Sequence, residues 1–410
     1  MYKSMATLAV LGALVPAARA EDDLPQRLDA VLEQWIGDER IVGAVVLVAR
    51  DGQVVYRRAA GWADREARVP VREDTIFRLA SMTKLIVSTV ALRLVDEGRL
   101  SLDDPASRWL PYFTPALSDG RRPAITIRQL LSHTSGLSYS FLEPPGNAYQ
   151  TLRVPQGLAR FDGSLEEALR RLASAPLFYE PGREWRYSLS TDVLGAVIER
   201  VTGLPLPRAV ERYVTEPLGM HDTAFRLVDP ARLAAAYVDG TSRAERMRPQ
   251  RQPLPLGSGV HVDPERTLDP AAYSSGGGGM TGTADDFLTL VEAIRTVRAP
   301  VISESMARRL TTHHIGDLRA WTEGPGWGFG LGTAVLLDPA AADSPQSVGT
   351  WQWGGALGTH WFVDPALALS VVVMTNTAVA GVIGEFPAAL RDAVYGVERP
   401  RETRVVDQNV

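Results

Sequence analysis

Cysteine is absent from this chain of 410 residues, and its absence removes several kinds of chemistry at once. Without thiols the protein can form no disulfide, use no thiolate as a nucleophile and offer no cysteine ligand to a metal. The chain also has no excess of positive charge, because 43 Lys and Arg residues against 48 Asp and Glu residues give a net charge of -5 at pH 7. A nucleic-acid partner normally requires a basic patch, so we expect none.

Long apolar runs are scarce as well, and a short one lies at the start of the chain. A basic beginning, Met-Tyr-Lys-Ser, is followed by an apolar run over 5–15 and by the small-x-small sequence Ala-Arg-Ala. This order is typical of a secretory signal peptide, so we predict a periplasmic or secreted protein, with an untargeted N-terminal segment as the alternative. No later segment has the length and apolar character of a membrane helix, so we expect no integral membrane segment.

Strand patterns lie towards both ends of the chain, with helical patterns between them. A hydrophobic content of 45% over this length is enough for one large or two ordinary domains. Strands and helices do not alternate as they do in βαβ units. We therefore predict an α+β fold, in which strands from both termini form one antiparallel sheet, flanked by helices and interrupted by a mostly helical subdomain. The predicted strands are 42–49 and 53–60, joined by Asp51-Gly52, then 349–353, 359–363 and 369–374; the predicted helices are 24–37, 85–95, 127–131, 165–173, 191–201 and 383–395, with another that begins at Thr283.

The predicted organisation has four parts. They are a signal peptide over 1–20, a sheet subdomain over 21–80 and 285–398, a mostly helical subdomain over 81–284 and a tail over 399–410. Within the helical part, residues 237–270 show little periodicity and many Pro, Arg and Gly residues. We interpret this stretch as a long surface excursion near a cleft, with disorder as the alternative.

The most informative motif is Ser81-Met82-Thr83-Lys84, at the start of a predicted helix. Residues three apart on a helix are surface neighbours, so the Lys84 amine can reach the Ser81 oxygen. A serine becomes a strong nucleophile when a neighbouring base takes its proton, and burial can prepare a lysine for that role. We predict that Ser81 is the nucleophile and Lys84 its base. The alternative is an N-capping serine followed by an exposed lysine.

Tyr187 is a candidate third catalytic residue, because it precedes a predicted helix at 191–201. A tyrosine at a loop-to-helix junction can turn its hydroxyl into a cleft and exchange protons with a leaving group when a lysine lies nearby. A packed surface aromatic residue is the alternative.

A third segment, from Trp351 to Pro365, contains two adjacent glycines, Gly354 and Gly355. Glycines in a strand allow a substrate to approach the sheet edge closely, and a strand edge offers backbone N–H groups. We therefore predict that the amides of Ser81 and Ala356 form an oxyanion hole, with a simple β-bulge as the alternative.

Competing signals are weaker. The chain contains no Gly-x-Ser-x-Gly sequence, so an α/β-hydrolase elbow is not supported, and we interpret His133 as structural. His313 and His314 are adjacent and lack the spacing of a helical metal pair, so we predict no metal. The glycines at 276–279 are not followed by Lys-Ser or Lys-Thr, which favours a tight turn over a phosphate-binding loop.

Taken in order and spacing, these segments resemble the serine β-lactamase and penicillin-binding-protein superfamily, and within it the class C β-lactamase-like esterases (family VIII carboxylesterases). The resemblance covers nearly the whole chain after residue 20. It implies a β-lactamase/transpeptidase-like fold and an acyl-enzyme at Ser81, with Lys84 and Tyr187 sharing the base and acid roles. The matching segments are 77–84, 92–105, 130–137, Pro181-Gly182, Tyr187-Ser188 with Gly195, Glu199 and 201–203, and 276–283.

Two positions depart from the lactamase pattern. Leu189 stands where those enzymes have the asparagine of Tyr-x-Asn, and Trp353-Gly354-Gly355 stands where they have Lys-Thr-Gly. Both changes make the cleft more apolar, as in the esterases, so we expect Leu189, Trp353, Gly354 and Gly355 to contact the substrate.

The sequence therefore predicts a serine hydrolase that cleaves small acyl esters without a cofactor or metal. Two alternatives remain open. One is a β-lactamase or D-amino-acid peptidase, and the other is a non-catalytic module that binds peptidoglycan fragments. The oligomeric state, natural substrate and acyl length do not follow from the sequence.

Overall fold

The computed structural model of the protein describes residues 23–250, 252–297 and 301–398. Its largest feature is an eight-stranded sheet with the order β10-β11-β12-β13-β14-β1-β2-β3, in which every neighbouring pair is antiparallel. These strands are β1 (Gly43–Arg50), β2 (Gln53–Asp64), β3 (Val69–Pro70), β10 (Trp327–Phe329), β11 (Ala334–Leu336), β12 (Trp351–Gly355), β13 (Thr359–Asp364) and β14 (Leu369–Thr375). The predicted α+β fold, with one antiparallel sheet from both ends of the chain, is confirmed.

Strand β1 is an interior strand of the sheet, between β2 and β14. Except for Arg50 at its end, its residues are apolar and buried, as expected for a strand covered on both faces. Asp51 and Gly52 both have positive φ, 50° and 78°, which is the backbone that the tight turn into β2 requires.

Helices cover the sheet on both faces. Helices α1 (Leu24–Gly37) and α11 (Glu385–Tyr395) pack against each other and share a core with the β1 residues Val46 and Val48. On the opposite face, α9 (Ala284–Thr296) packs on β1 and β14. Because side chains of a strand alternate between faces, the β1 residues Val45 and Leu47 belong to this second and larger core.

The part of the chain between β4 (Phe77–Arg78) and α9 is rich in helices. Its first helix, α2 (Thr83–Asp96), is buried along nearly its whole length and packs against α6 and α10. The other helices are α3 (Ile127–Leu131), α4 (Ala148–Thr151), α5 (Leu165–Ser174), α6 (Ser190–Thr202), α7 (Leu206–Val210), α8 (Glu216–Leu218) and, after α9, α10 (Glu304–Thr311). A π-helical turn over Glu211–Thr215 joins α7 to α8.

Helix starts follow the capping chemistry of the sequence. Thr126 and Gln129 form a reciprocal capping box at α3, and Ser164 and Glu167 form another at α5. Thr283 accepts a hydrogen bond from the amide of Asp286, so α9 begins where the sequence predicts it.

Several elements were not predicted. Strands β10 and β11, on the edge of the sheet, are only three residues long, so their alternation is too short to detect. Within 237–250 and 252–270 the chain forms two small hairpins, and Leu256 and Gly257 line a cleft, so the described part fits the predicted excursion near a cleft rather than the alternative of disorder. The remaining strands are β5 (Tyr237–Val238), β6 (Glu245–Arg246), β7 (Gln252–Leu254), β8 (Val260–Val262), β9 (Thr281–Gly282) and β15 (Thr377–Ala378).

The predicted signal peptide over 1–20 and the tail over 399–410 lie outside the described residues. The division into two subdomains stays a prediction. Within the described ranges, no helix combines the length and the apolar character that a bilayer crossing requires.

Candidate active site

Ser81 lies in a short 3-10 turn, Ala80–Met82, immediately before α2. The residue before it, Ala80, has a φ of 43° and is buried. A left-handed conformation is unfavourable for a residue with a Cβ, and such local strain tends to occur at functional sites. The turn is fixed from behind by a hydrogen bond from the Leu79 amide to the Met280 carbonyl, 3.0 Å long. The half-buried Ser81 is therefore presented by a strained but anchored turn.

Lys84 is one turn further along the chain, and its side chain is buried, with a relative exposure of 2%. Its Nζ atom lies 3.2 Å from Ser81 Oγ and donates a 2.6 Å hydrogen bond to the carbonyl of Gly277. The alternative of an exposed lysine after a capping serine is wrong, because Lys84 is buried and its amine points at Ser81. The contact expected from the spacing of the two residues is present.

Two tyrosines enclose the Lys84 amine. Its Nζ atom is 4.6 Å from the ring centre of Tyr187 and 5.3 Å from that of Tyr139. The two rings lie 5.0 Å apart and are tilted by 49° to each other. Burial raises the pKa of Tyr139 well above its ordinary value, and the neighbouring Tyr187 and Asp192 raise it further. Tyr139 therefore stays protonated and can donate its hydrogen to Tyr187.

A buried carboxylate supports the lysine from behind. Ser275 Oγ donates a 2.6 Å hydrogen bond to Asp192 Oδ1, and the other oxygen of Asp192 lies against the backbone of Gly277. A Cβ atom at position 277 would lie 2.5 Å from Asp192 Oδ2, so the close approach requires glycine. Burial raises the pKa of Asp192, while the hydrogen bond from Ser275 and the charge of Lys84 act in the opposite direction.

The glycines at 276–279 therefore have a specific position in the site. Their backbone passes between Lys84 and Asp192 and supplies the carbonyl that accepts a hydrogen bond from the lysine. The tight-turn interpretation agrees with this arrangement.

His133 is buried beside Tyr187. Its ring meets the Tyr187 ring edge-on at 5.0 Å, and its Nδ1 atom is 3.0 Å from Ser188 Oγ. Burial lowers the pKa of His133 well below its usual range, and the charge of Lys84 lowers it further, so the imidazole is neutral. A neutral ring packed on Tyr187 fits the structural role expected from the sequence.

The backbone of β12 reaches the nucleophile turn from the opposite side. A Cβ atom at Gly355 would lie 2.2 Å from the Leu79 carbonyl, and Thr359 Oγ1 donates to that carbonyl at 3.3 Å. Only glycine allows this approach, which carries Ala356 to the Ser81 turn. In the described part of the chain, neither the Ala356 amide nor the Ser81 amide donates to another protein group. Both remain available to an oxyanion.

A cleft of about 630 Å³ opens at this place, and its walls are largely aromatic and aliphatic. Trp353 is mostly buried, and its Nε1 atom lies 3.4 Å from the Tyr187 hydroxyl. The aromatic residues that line the cleft are Phe141, Tyr187, Trp321, Trp353, Trp361 and Phe362. A volume of this size is typical of sites for small organic molecules.

The structure separates the four predicted substrate-binding residues into two groups. Trp353 and Gly354 line the cleft. Leu189 and Gly355 are not among the lining residues, and neither is Ser81, so the contacts of Leu189 and Gly355 with the substrate stay a prediction. Leu189 has 2% exposure and packs into the core at the start of α6, and Gly355 is covered by the nucleophile turn.

Sequence reasoning missed Tyr139, Asp192 and Gly277 as parts of the site. Asp192 lies close to Tyr187 in the sequence, but its hydrogen-bond partner, Ser275, is 83 residues away along the chain, so no local pattern connects the two. Tyr139 follows the segment that contains His133, and no local pattern marks it. Among the described residues, no group of three or more His, Asp or Glu side chains is placed to hold a metal ion.

Removing the Tyr139 hydroxyl should weaken the site without destroying it. For Tyr139→Phe we expect kcat for a p-nitrophenyl ester to fall about 2- to 10-fold, since a net hydrogen bond is worth about 0.5–1.5 kcal/mol. The ring that packs on Phe141 and Tyr187 is retained. Tyr112→Phe, away from the cleft, is the matched control, and equal kcat values for the two variants would contradict a role for this hydroxyl.

Comparison with known proteins gives a consistent result. The sequence profile of the β-lactamase family matches residues 20–394. Esterase EstB from Burkholderia gladioli is 52% identical over 375 residues, which cover 91% of this chain and 95% of that protein.

Solved structures agree with these relatives. EstCE1, described as a hydrolase with promiscuous acyltransferase activity, superposes with a TM-score of 0.89 at 47% identity, covering 92% of this chain and 100% of that one. A penicillin-binding protein from Bacillus halodurans shares the fold, with a TM-score of 0.65 at 22% identity over 90% of this chain and 98% of that one.

Proposed function

This chain belongs to the β-lactamase family, and on that premise we propose that it is a serine carboxylesterase that cleaves small acyl esters through an acyl-enzyme at Ser81. The observation that carries the proposal is the contact between the buried Lys84 amine and the Ser81 hydroxyl, 3.2 Å apart, next to Tyr187, which lines an apolar cleft. Esterase EstB and EstCE1 support the esterase assignment, because both are similar to this chain over more than nine-tenths of its length.

In the acylation step, Ser81 Oγ attacks the ester carbonyl carbon while its proton passes to the Lys84–Tyr187 pair. The carbonyl oxygen becomes an oxyanion, which the free amides of Ser81 and Ala356 stabilise. When the C–O bond of the ester breaks, the proton moves from Tyr187 to the departing alcohol. The acyl group then remains on Ser81.

In the deacylation step, a water molecule attacks the acyl carbon and gives its proton to the same pair. The second oxyanion uses the same two amides, and its collapse returns the proton to Ser81 Oγ and releases the acid. Tyr139, which packs on Tyr187 and keeps its proton because burial raises its pKa, can donate a hydrogen bond that holds the proton-transferring oxygen in place during both steps.

Intact-protein mass spectrometry tests this proposal directly. The protein is mixed with a p-nitrophenyl acetate or butyrate ester, quenched within one turnover and digested to locate the adduct. An added acetyl or butyryl group on the peptide that contains Ser81 supports the acyl-enzyme. Turnover without any adduct, or an adduct on another residue, would contradict it. Lack of both turnover and adduct would favour a non-catalytic module.

Penicillins should be poor substrates. The carboxylate of a penicillin needs a cation, and an unpaired polar group in a partly dry site costs about 1–3 kcal/mol. Trp353 stands where a lysine would meet that carboxylate, and Arg391, a guanidinium that lines the cleft, is already bound to Asp392 at 2.8 Å. We expect kcat/KM for p-nitrophenyl butyrate to exceed that for benzylpenicillin by at least about 100-fold. The reverse ranking in steady-state kinetics would favour the lactamase or peptidase alternative.

We also propose that the protein is periplasmic or secreted. The support is the sequence over 1–20, with its basic start, apolar run and small-x-small end. N-terminal sequencing of protein purified from cells and from medium tests this, since removal of residues 1–20 is expected in either exported form and retention would contradict it.

A further inference from the structure

One carboxylate lines the cleft without a cation beside it. Glu323 follows Trp321 in a short 3-10 turn before β10, and its side chain is half-buried. The Glu323 carboxylate accepts a hydrogen bond from Gln352 Nε2, 2.8 Å long. Within 23–250, 252–297 and 301–398, no lysine or arginine lies within salt-bridge distance of Glu323. Burial raises the pKa of its carboxyl group.

Two other carboxylates that are partly or fully buried are each paired with an arginine. Glu143 is buried and bound to Arg186 at 2.7 Å, and Glu292 is bound to Arg295 at 2.7 Å. Removing a carboxylate from water is costly unless a positive charge or several hydrogen bonds compensate. The single amide of Gln352 offsets little of this desolvation cost. Glu323 therefore differs from Glu143 and Glu292 in having no positively charged partner among the residues that the structure describes.

The surroundings of Glu323 favour a cation in that place. Trp321 and Trp353 line the same cleft, and Trp321 has 49% exposure, so its ring is accessible to a ligand. Aromatic faces attract ammonium groups through the ring quadrupole. Arg391 on α11 also lines the cleft, but its guanidinium donates two hydrogen bonds to Asp392, 2.8 and 3.0 Å long. The part of the cleft near Glu323 therefore combines aromatic rings with one carboxylate.

We propose that the cleft accepts esters carrying a protonated amine or a quaternary ammonium group away from the scissile bond, with Glu323 as the counter-ion of that group. The inference rests on the proposed function in taking this cleft as the substrate site. It adds a substrate class, amino-alcohol or amino-acyl esters, that neither the catalytic residues nor the relatives specify.

The experiment compares matched pairs of acetate esters that differ only in charge. Acetylcholine is paired with 3,3-dimethylbutyl acetate, and 6-(trimethylammonio)hexyl acetate with 7,7-dimethyloctyl acetate, so that two distances between ester and charge are sampled. The ratio of kcat/KM for the charged ester to that for its neutral counterpart is measured in wild-type protein and in Glu323→Gln. Glutamine keeps the size of the side chain and its bond to Gln352. Glu304→Gln, on the exposed face of α10, controls for loss of one negative charge elsewhere.

We expect the charged-to-neutral ratio for at least one pair to fall about 10-fold or more in Glu323→Gln, and to stay unchanged in Glu304→Gln, since the pair is partly desolvated. The neutral ester is the reference within each protein, so a general effect of a substitution on turnover cancels in the ratio. Ratios that are the same in wild type and Glu323→Gln for both pairs would overturn the proposal.

Binding of phenyltrimethylammonium, measured by calorimetry, separates this inference from the esterase proposal. If wild-type protein binds the cation and Glu323→Gln binds it about 10-fold more weakly, the cation site stands even if no ester is turned over. If esters are turned over but the cation binds both proteins equally, the esterase proposal stands and the cation site does not.

Discussion

Replacing Ser81 with alanine is expected to abolish both ester turnover and the covalent acyl adduct. The chain contains no cysteine, and the Lys84 amine contacts Ser81 Oγ, so no second nucleophile is prepared in the cleft. Activity should fall to the background of p-nitrophenyl butyrate hydrolysis. The oxyanion amides remain in this variant, but they stabilise an oxyanion only after a nucleophile has attacked.

The variant must be shown to be folded. Ser81 is half-buried and its hydroxyl contacts Lys84, so the change removes one oxygen and creates no large cavity. Ser164→Ala, which removes the cap of α5, is the matched control and should keep full turnover. Near-normal hydrolysis by Ser81→Ala, with the circular dichroism spectrum of wild type, would contradict the whole mechanism.

Changing Lys84 or Tyr187 is expected to lower kcat by at least about 100-fold each, the usual scale of general acid–base assistance. Lys84→Met retains most of the aliphatic stem in its buried position, and Tyr187→Phe retains the ring on which Lys84, His133 and Trp353 pack. Each substitution therefore removes the proton-transferring group while preserving most of the packing.

The double variant makes this prediction specific. If Lys84 and Tyr187 transfer one proton together, removing both should cost little more than removing one, because residues that act as a unit are not additive. Single-turnover rates of acylation in the four proteins provide the measurement. Losses that multiply would indicate that the two residues act separately, and a Tyr187→Phe variant as active as wild type would remove the tyrosine from the mechanism.

Much of the fold could be predicted because its signals are local. The Asp51-Gly52 turn, the capped start of α9 at Thr283 and the spacing of Ser81 and Lys84 each depend on a few adjacent residues. The short edge strands β10 and β11 give too little alternation to be recognised, and the hairpins in 237–270 are held by packing that the sequence does not display.

The unpredicted parts of the site are contacts between distant segments. Tyr139 meets Tyr187, and Asp192 meets Ser275, only because the helical region folds back on α2. Leu189 also depends on distant packing. Its place in a motif indicated the cleft, and the apolar side chain lies in the core at the start of α6, so its contact with a substrate stays a prediction.

The interior place of β1 in the sheet has a consequence for biosynthesis. One side of β1 pairs with β14, which is among the last strands to be translated, so an apolar strand that emerges early must wait for its partner. At roughly 5–20 residues per second, the delay is on the order of tens of seconds. Until β14 is available, one edge of an apolar strand has unpaired backbone groups, and such an edge is prone to pair with other chains.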